Sequence, residues 1–463
     1  MSNLLKLKRF HLVGIKGVAM TALALILKDF GKKVQGSDVA ANFQTQSTLE
    51  KAGVVVYPQF APSQVEKAQV VVYSAAHKGS ANIEVKKAQE LNIPVCSFPK
   101  LLGELSQRKP TVAVCGCHGK TTTTSLISYL TTKAGLAPSY FVGVSQFMEL
   151  PGGAWSGGEL FVAEADEYLT DPEADRSSKF LYFNPKYIVC TNLEFDHPDF
   201  FKDLSEVKQA YLSFFRKLPE DGFLLLNGDD PALLELGRQS HKRLLTYGLK
   251  DTNDYQVLPN KTGCKLLFKH QPVVELTPHL FGEHNYLNLG AAMAFLLQLG
   301  LKPEQITKGA NEFRGAARRL ELLFKIGQNL IIDDYAHHPT EIAASLQALR
   351  QAFPEHRIAL CFQPHTFSRT KTFYPDFLKV LKLPDFLGLL PIFPSAREPF
   401  DFSISSEQLL ADLKRPQTSL LLDTEASFSA LVKLTQLEHR KWIYLTMGAG
   451  DVYQKAQLLT SFL

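Results

Sequence analysis

Between Thr111 and Ser125 the sequence reads TVAVCGCHGKTTTTS, and its Gly116, Gly119, Lys120 and Thr121 have the types and spacing that hold a phosphate chain. A glycine loop opening a helix points free backbone N–H groups and the positive helix end at an anion; a lysine meets the outer phosphates, and a threonine hydroxyl suits a divalent ion. The usual loop has a further glycine five residues before the Gly-Lys pair, but Val114 stands there, leaving the shortened form G-x-x-G-K-T. An ordinary glycine turn is the alternative. The flanks favour the phosphate loop: Thr111–Cys115 reads as a buried strand, and a helix pattern runs from the loop to about Ala134.

Acidic and histidine residues gather after two more apolar runs. Leu160 to Ala163 leads into Glu164, Asp166 and Glu167, and Tyr187 to Thr191 leads into Asn192, Glu194, Asp196 and His197. Carboxylates at strand tips beside a phosphate loop are placed to hold Mg²⁺. A solvated acidic turn, and a hydrogen-bonded structural role for His197, remain as the plainer readings. Farther on come His284, Asn285 and Asn288 on a helix, the pair Arg318 and Arg319, and two polar clusters past strand ends: Tyr335, His337 and His338, then His365, Ser368 and Arg369. A paired Arg suits a transferred phosphate or an acyl phosphate, or is surface charge. Asn288 could equally be a solvent-facing amide.

The elements that must position these groups alternate strand and helix through all 463 residues, so the expected class is α/β. The opening run Arg9–Val13, the glycines Gly14 and Gly17, an apolar helix from Val18 and a second strand ending in Gly36-Ser37-Asp38 form a βαβ unit. Its glycine pattern lacks the third glycine of a dinucleotide fingerprint, so a nucleotide diphosphate at the helix start is a better reading than NAD. Three domains are expected, at residues 1–109, 110–319 and 320–463; the stretch Tyr255–Leu276 inside the second alternates like a short hairpin or small antiparallel sheet. Apolar content of 45% and charged content of 21% are ordinary for a soluble globular protein, the net charge of +4 is small for this length, and no basic stripe points to nucleic acid. The six cysteines show no zinc spacing, and no apolar run approaches a membrane span or a signal peptide, so thiols in a cytoplasmic protein are expected. Monomer and dimer stay open.

Taken together, GIKGVAM, GSD, GCHGKTTTT, EADE, TNLEFDHPD, NGDDP, GEHNYLN, FRGAARRLE, DDYAHHPTE, QPHTFSRTK and GAGD resemble, in type and order, the Mur ligases, the ATP-dependent amide-forming enzymes of peptidoglycan synthesis. The resemblance covers nearly the whole chain. It implies an N-terminal Rossmann-like domain for a UDP sugar, a central P-loop ATPase-like domain with a mostly parallel sheet, and a C-terminal Rossmann-like domain for the amine. The implied substrates are ATP, UDP-N-acetylmuramate and L-alanine, with Mg²⁺. By the same resemblance, Gly116, His118, Gly119, Lys120, Thr121, Thr122, Asn285 and Asn288 bind the nucleotide, and Thr121, Glu164 and His197 hold metal. Lys120, Glu164, His197, Arg318 and Arg319 serve catalysis. Gly14, Gly17, Ser37, Asp38, His284, Tyr335, His337, His365 and Arg369 bind the other substrates.

Two departures stand out. Cys117 occupies a place where threonine is usual. The segment Tyr168–Tyr182 is longer and more polar than in common alanine-adding members and is similar to the tripeptide-joining recycling member, which keeps a tripeptide as the alternative amine.

Overall fold

The computed structural model describes residues 4–394, 398 and 400–463. They form two compact units. The first takes in the chain up to Phe195 with Asp203–His279 and Asn285–Ala316; the second comprises Asp196–Lys202, Leu280–His284 and Ala317–Leu463.

The first unit contains two large sheets. One has five parallel strands in the order Val55–Tyr57, Lys33–Ser37, Arg9–Val13, Val70–Tyr73, Val95–Ser97. Leu12, Val13 and Val70–Val72 are buried because helices cover both faces, which is why the strands read as apolar runs. Helix Val18–Asp29 buries Met20, Leu23, Ile26 and Leu27 and stops at Gly31, whose φ of +78° no helix continues. The strand order reverses between Arg9–Val13 and Val70–Tyr73, and a crevice at such a switch point takes ligands.

The other sheet has ten strands. Its centre is Tyr187–Cys190, Thr111–Cys115 and Phe161–Glu164, all parallel, so the loop after Thr111–Cys115 lies between the two acidic strand ends. The helix Lys120–Lys133 that follows is buried from Thr121 to Thr131. Tyr255–Leu276 comprises three strands that extend this sheet, the first of them parallel to Leu244–Gly248 and the next two antiparallel, rather than a separate hairpin. At the far edge, Ser139–Phe147 and Leu150–Ala154 form a hairpin that packs on helix Val18–Asp29; a Cβ at Gly153 would stand 2.4 Å from the Ala22 carbonyl oxygen.

The second unit is a doubly wound sheet ordered Glu321–Ile326, Asn329–Asp334, Lys441–Met447, His356–Phe362, Phe386–Leu389, Ser419–Leu421, antiparallel only at its first pair. Ile342, Leu346 and Leu349 of helix Pro339–Ala352 pack on one face, and Phe428, Leu431 and Val432 of helix Glu425–Gln436 on the other. No helix among the described residues is long and apolar enough to cross a membrane.

Candidate active site

In the phosphate loop both glycines are required by geometry. Gly116 has φ +130° and a Cβ there would lie 2.0 Å from Thr191 Oγ1; Gly119 has φ +79° and its Cβ would lie 2.4 Å from Asn288 Oδ1. Lys120 Nζ donates to both carboxylate oxygens of Glu167, at 2.9 and 3.1 Å, and to the Gly116 carbonyl at 2.7 Å. Burial alone would lower the lysine's pKa, but the charges of Glu167 and Asp166 outweigh it and raise the value, so the ammonium stays charged. Thr121 Oγ1 donates to Glu164 Oε1 at 3.1 Å, and Glu164 Oε2 accepts the Gly143 N–H at 3.0 Å. These are oxygen donors of the hard type that suits Mg²⁺.

The rest of the loop is tied to neighbouring strand ends. His118 Nε2 lies 2.8 Å from Glu194 Oε2, and its backbone N–H donates to Asn192 Oδ1 at 2.9 Å. Cys117 Sγ donates to the Glu194 carbonyl and accepts the Glu194 N–H, at 3.0 and 3.2 Å, so the thiol performs the bridging a hydroxyl could. Thr122 is buried in the first turn of the helix. Asn288 is buried rather than solvent-facing: it accepts from Thr123 Oγ1 at 3.3 Å and donates to Asn285 Oδ1 at 3.4 Å. Glu167, Asn192 and Glu194, expected from sequence as part of the two strand-end clusters, bond the loop itself, and Thr191, which sequence placed only as the end of its strand, joins them through its hydroxyl.

At the five-stranded sheet, Gly14 has φ +79°, and the Gly14 and Ile15 N–H groups donate to the Ser37 carbonyl. Asp38 Oδ2 accepts the Lys16 N–H at 2.7 Å and Oδ1 the Val39 N–H at 2.8 Å, so this carboxylate orders the loop. The Ser37 hydroxyl donates to Glu84, which His11 Nε2 also meets at 3.1 Å, all three side chains being buried. Gly17 caps the helix whose first turn would face a diphosphate. Sequence reasoning overlooked His77, whose Nε2 lies 3.4 Å from Asp38 Oδ1. Only folding brings that residue, from the loop after Val70–Tyr73, to Gly14.

In the second unit Arg369 is 4% exposed, and its Nε and Nη2 both donate to Asp196 Oδ1, at 3.0 and 2.8 Å. The same oxygen accepts the His197 backbone N–H at 2.6 Å, with His197 at φ +57°. Burial pushes the Asp196 pKa up, but the charges of His197 and Arg369 outweigh it and hold the value well below the usual carboxylate range. His337 is pushed down to about 3 by burial and by Arg369, so it is neutral. Its Nδ1 lies 3.0 Å from the Tyr335 carbonyl, which can only accept, so Nδ1 carries the proton and Nε2 the lone pair. The His365 ring stands edge-on to that of His337 at 5.9 Å and stacks on Phe393. Next to it, Thr366 takes φ +68° and ψ 141°, a region almost reserved for glycine, while its hydroxyl caps the Arg369 N–H.

The arginine pair divides. Arg318 donates to Asp333 Oδ2 at 3.0 Å and to the Gly448 and Gly450 carbonyls at 2.6 and 3.2 Å, with its guanidinium over the rings of Tyr335 and Tyr453. Arg319 lies on Tyr335 as well, with Nη1 3.9 Å from Glu341 Oε1. Glu341 also caps the His337 and His338 N–H groups. His284, pushed down to about 4 by burial, is neutral in this unit.

A lysine-bearing loop between acidic strand ends, joined in sequence to a Rossmann-like sheet on either side, is the arrangement of the Mur ligases, and the chain belongs to that family. The Mur ligase family catalytic domain matches residues 9–110, the Mur ligase middle domain residues 114–296, and the Mur ligase glutamate ligase domain residues 318–450. The UDP-N-acetylmuramate–L-alanine ligase of Desulfitobacterium hafniense (strain Y51) is 39% identical over 97% of this chain and 98% of its own. The solved structure of UDP-N-acetylmuramate-alanine ligase from Thermotoga maritima shares the fold, with a TM-score of 0.79 at 24% identity over 98% of each chain. So does murein peptide ligase from Psychrobacter arcticus 273-4, with a TM-score of 0.74 at 21% identity over 98% of each chain.

Proposed function

We propose that this protein joins L-alanine to the lactyl carboxylate of UDP-N-acetylmuramate at the expense of ATP, in the cytoplasm, as a step of peptidoglycan synthesis. The observation that carries the reading is the end-to-end similarity to the alanine-adding ligase of Desulfitobacterium hafniense, together with the Lys120 loop and its Thr121–Glu164 pair. The lactyl carboxylate oxygen attacks the γ-phosphorus of ATP, the bond to the β-phosphate oxygen breaks, and ADP leaves an acyl phosphate behind. The alanine amine then attacks the acyl carbon, loses a proton, and phosphate departs with the C–O bonding pair.

Residues 1–109 serve the sugar nucleotide, 110–319 the ATP and 320–463 the amine. Lys120 leaves Glu167 for the β- and γ-phosphates, and the loop N–H groups orient them. Thr121 and Glu164 would hold one Mg²⁺ and His197 a second, and the bound ions would supply charge neutralisation on the phosphates. Asn285 and Asn288 brace the loop on the adenine side. Arg319 carries the phosphate-side role of its pair, while Arg318 acts by fixing the turn at Gly448–Gly450. On the amine side, Arg369 meets the alanine carboxylate on a base of Asp196, and neutral His337 lines the rim beside the His365 ring without repelling the amine's approach.

The test is phosphate release with UDP-N-acetylmuramate and a panel of amines. L-Alanine should support turnover, with glycine poorer by about 1–3 kcal/mol in kcat/KM, the worth of one small apolar group. Preference for the tripeptide over free L-alanine would overturn the assignment.

A further inference from the structure

The polar segment after EADE folds as a hairpin, Leu169–Asp171 against Asp175–Ser178. Asp175 holds its returning strand: Lys100 Nζ lies 2.9 Å away and the Tyr182 hydroxyl donates to the same carboxylate. Asp171 is 1% exposed. Its Oδ1 accepts the Glu173 and Ala174 N–H groups of the hairpin's own turn, at 2.9 and 3.2 Å. Its Oδ2 reaches out of the hairpin and accepts the Ser80 N–H at 3.0 Å.

That reach matters because of what precedes Ser80. His77, Lys78 and Gly79 have φ of 55°, 70° and 48°, three successive left-handed residues of which two carry a Cβ. A left-handed backbone is unfavourable for a residue that carries a Cβ, so the turn persists only where its surroundings hold it. Asn82 Nδ2 donates to the His77 carbonyl at 3.0 Å from within the same loop, and Asp171 grips the turn from outside it through the Ser80 N–H. A Cβ at position 79 would stand 2.8 Å from Asp171 Oδ2, so glycine is needed for the carboxylate to come this close. The turn in its held form presents His77: the ring lies 5.0 Å from that of Phe60, Nε2 is 3.4 Å from Asp38, and Cδ2 would be 3.3 Å from a Cβ at Gly14. His77 thus sits at the switch point of the five-stranded sheet, over the Gly14 loop.

We infer that Asp171 is a positioning residue for the sugar nucleotide: it pins the 77–79 turn and so keeps His77 over the Gly14 loop, where the diphosphate of UDP-N-acetylmuramate docks. The inference rests on the function proposed above. It also changes what the long polar segment means. The segment shapes the UDP-sugar end of the reaction and has no part in choosing the amine.

The experiment uses full-length protein, with KM measured separately for UDP-N-acetylmuramate, ATP and L-alanine, and with UDP-N-acetylmuramate binding followed by titration calorimetry. Asp171→Ala should raise the KM and Kd for the sugar nucleotide roughly tenfold, the worth of one charge-assisted hydrogen bond, and leave the other two Michaelis constants unmoved. Asp171→Asn, which keeps one acceptor oxygen, should fall between. His77→Ala should show the same pattern, and the double variant should be no worse than the weaker single one, because both act through one contact. A shift in the L-alanine KM instead, or a lower unfolding temperature with all three constants and the Kd unchanged, overturns the inference. If Asp171→Ala fails to fold, Asp171→Asn and His77→Ala decide it. Wild-type protein that binds UDP-N-acetylmuramate but releases no phosphate with any amine would defeat the proposed function while the calorimetric comparison still judges Asp171; wild-type protein that does not bind it defeats both.

Discussion

The phosphate loop of the first unit and the Arg369 rim of the second both place a buried cation, and they do so by different means. Lys120 is held by the backbone of its own loop and by one carboxylate, Glu167, which on the proposed function a phosphate replaces. Arg369 donates twice to Asp196, a residue 173 positions away in sequence, and stands beside His337, which burial keeps neutral. The first arrangement is a local motif with an exchangeable counter-ion. The second is a fixed platform assembled from distant pieces, and its charge is balanced before any substrate arrives. A lysine on a flexible stem suits exchange between partners, whereas a planar guanidinium suits a permanent bond on one edge and recognition on another.

The largest effect expected from breaking this contrast is at the loop. Lys120→Ala should cut turnover by roughly 10² to 10³ while the circular dichroism spectrum and unfolding midpoint stay near wild type, since the charge acts on phosphates; near-normal activity in a folded variant would remove the loop from the mechanism. Glu164→Gln should raise the Mg²⁺ concentration for half-maximal activity by roughly 10- to 100-fold, and His197→Ala should do the same if it holds the second ion. Superimposable Mg²⁺ titrations would reduce both to structural residues.

At the rim, Arg369→Lys keeps the charge and loses the fork, so the KM for L-alanine should rise roughly tenfold and that for ATP stay put. Equal rises in both would show that Asp196 alone needs the guanidinium. The smallest effect concerns acid stability. His284 is pushed down to about 4 against an ordinary 6.5, so the unfolded chain takes up its proton first as pH falls. The stability this histidine contributes is complete above pH 6.5 and is lost between there and its folded value. Thermal unfolding from pH 7.5 to 4.5 should therefore show a loss on the order of 2 kcal/mol that His284→Gln removes; an unchanged slope in that variant would mean the ring is charged in the fold.

Read along the chain, the alternation of buried runs and amphipathic helices was enough for the α/β class, and the glycine loop announced itself because its signals are local. Gly116, Gly119, Lys120 and Thr121 carry their geometry within one strand–loop–helix unit. The hairpin Leu169–Ser178 did not declare itself, because its strands are short, polar and stabilised by Asp171 and Asp175 rather than by an apolar face. Nor could sequence show that Tyr255–Leu276 extends the large sheet, since edge strands look alike whether they join a sheet or stand apart.

What the sequence determined by itself was the set of groups able to do chemistry and the elements that carry them, because residue type and periodicity act over a few positions. Only tertiary structure decided which of those groups meet. It engaged Arg318 in a turn at Gly448–Gly450, tied Arg369 to Asp196, buried Ser37 with Glu84 and His11, and drew His77 over Gly14. The physical reason is that a buried charge or a strained turn is stable only beside a compensating partner, and such partners are supplied by proximity in space, which no local pattern encodes.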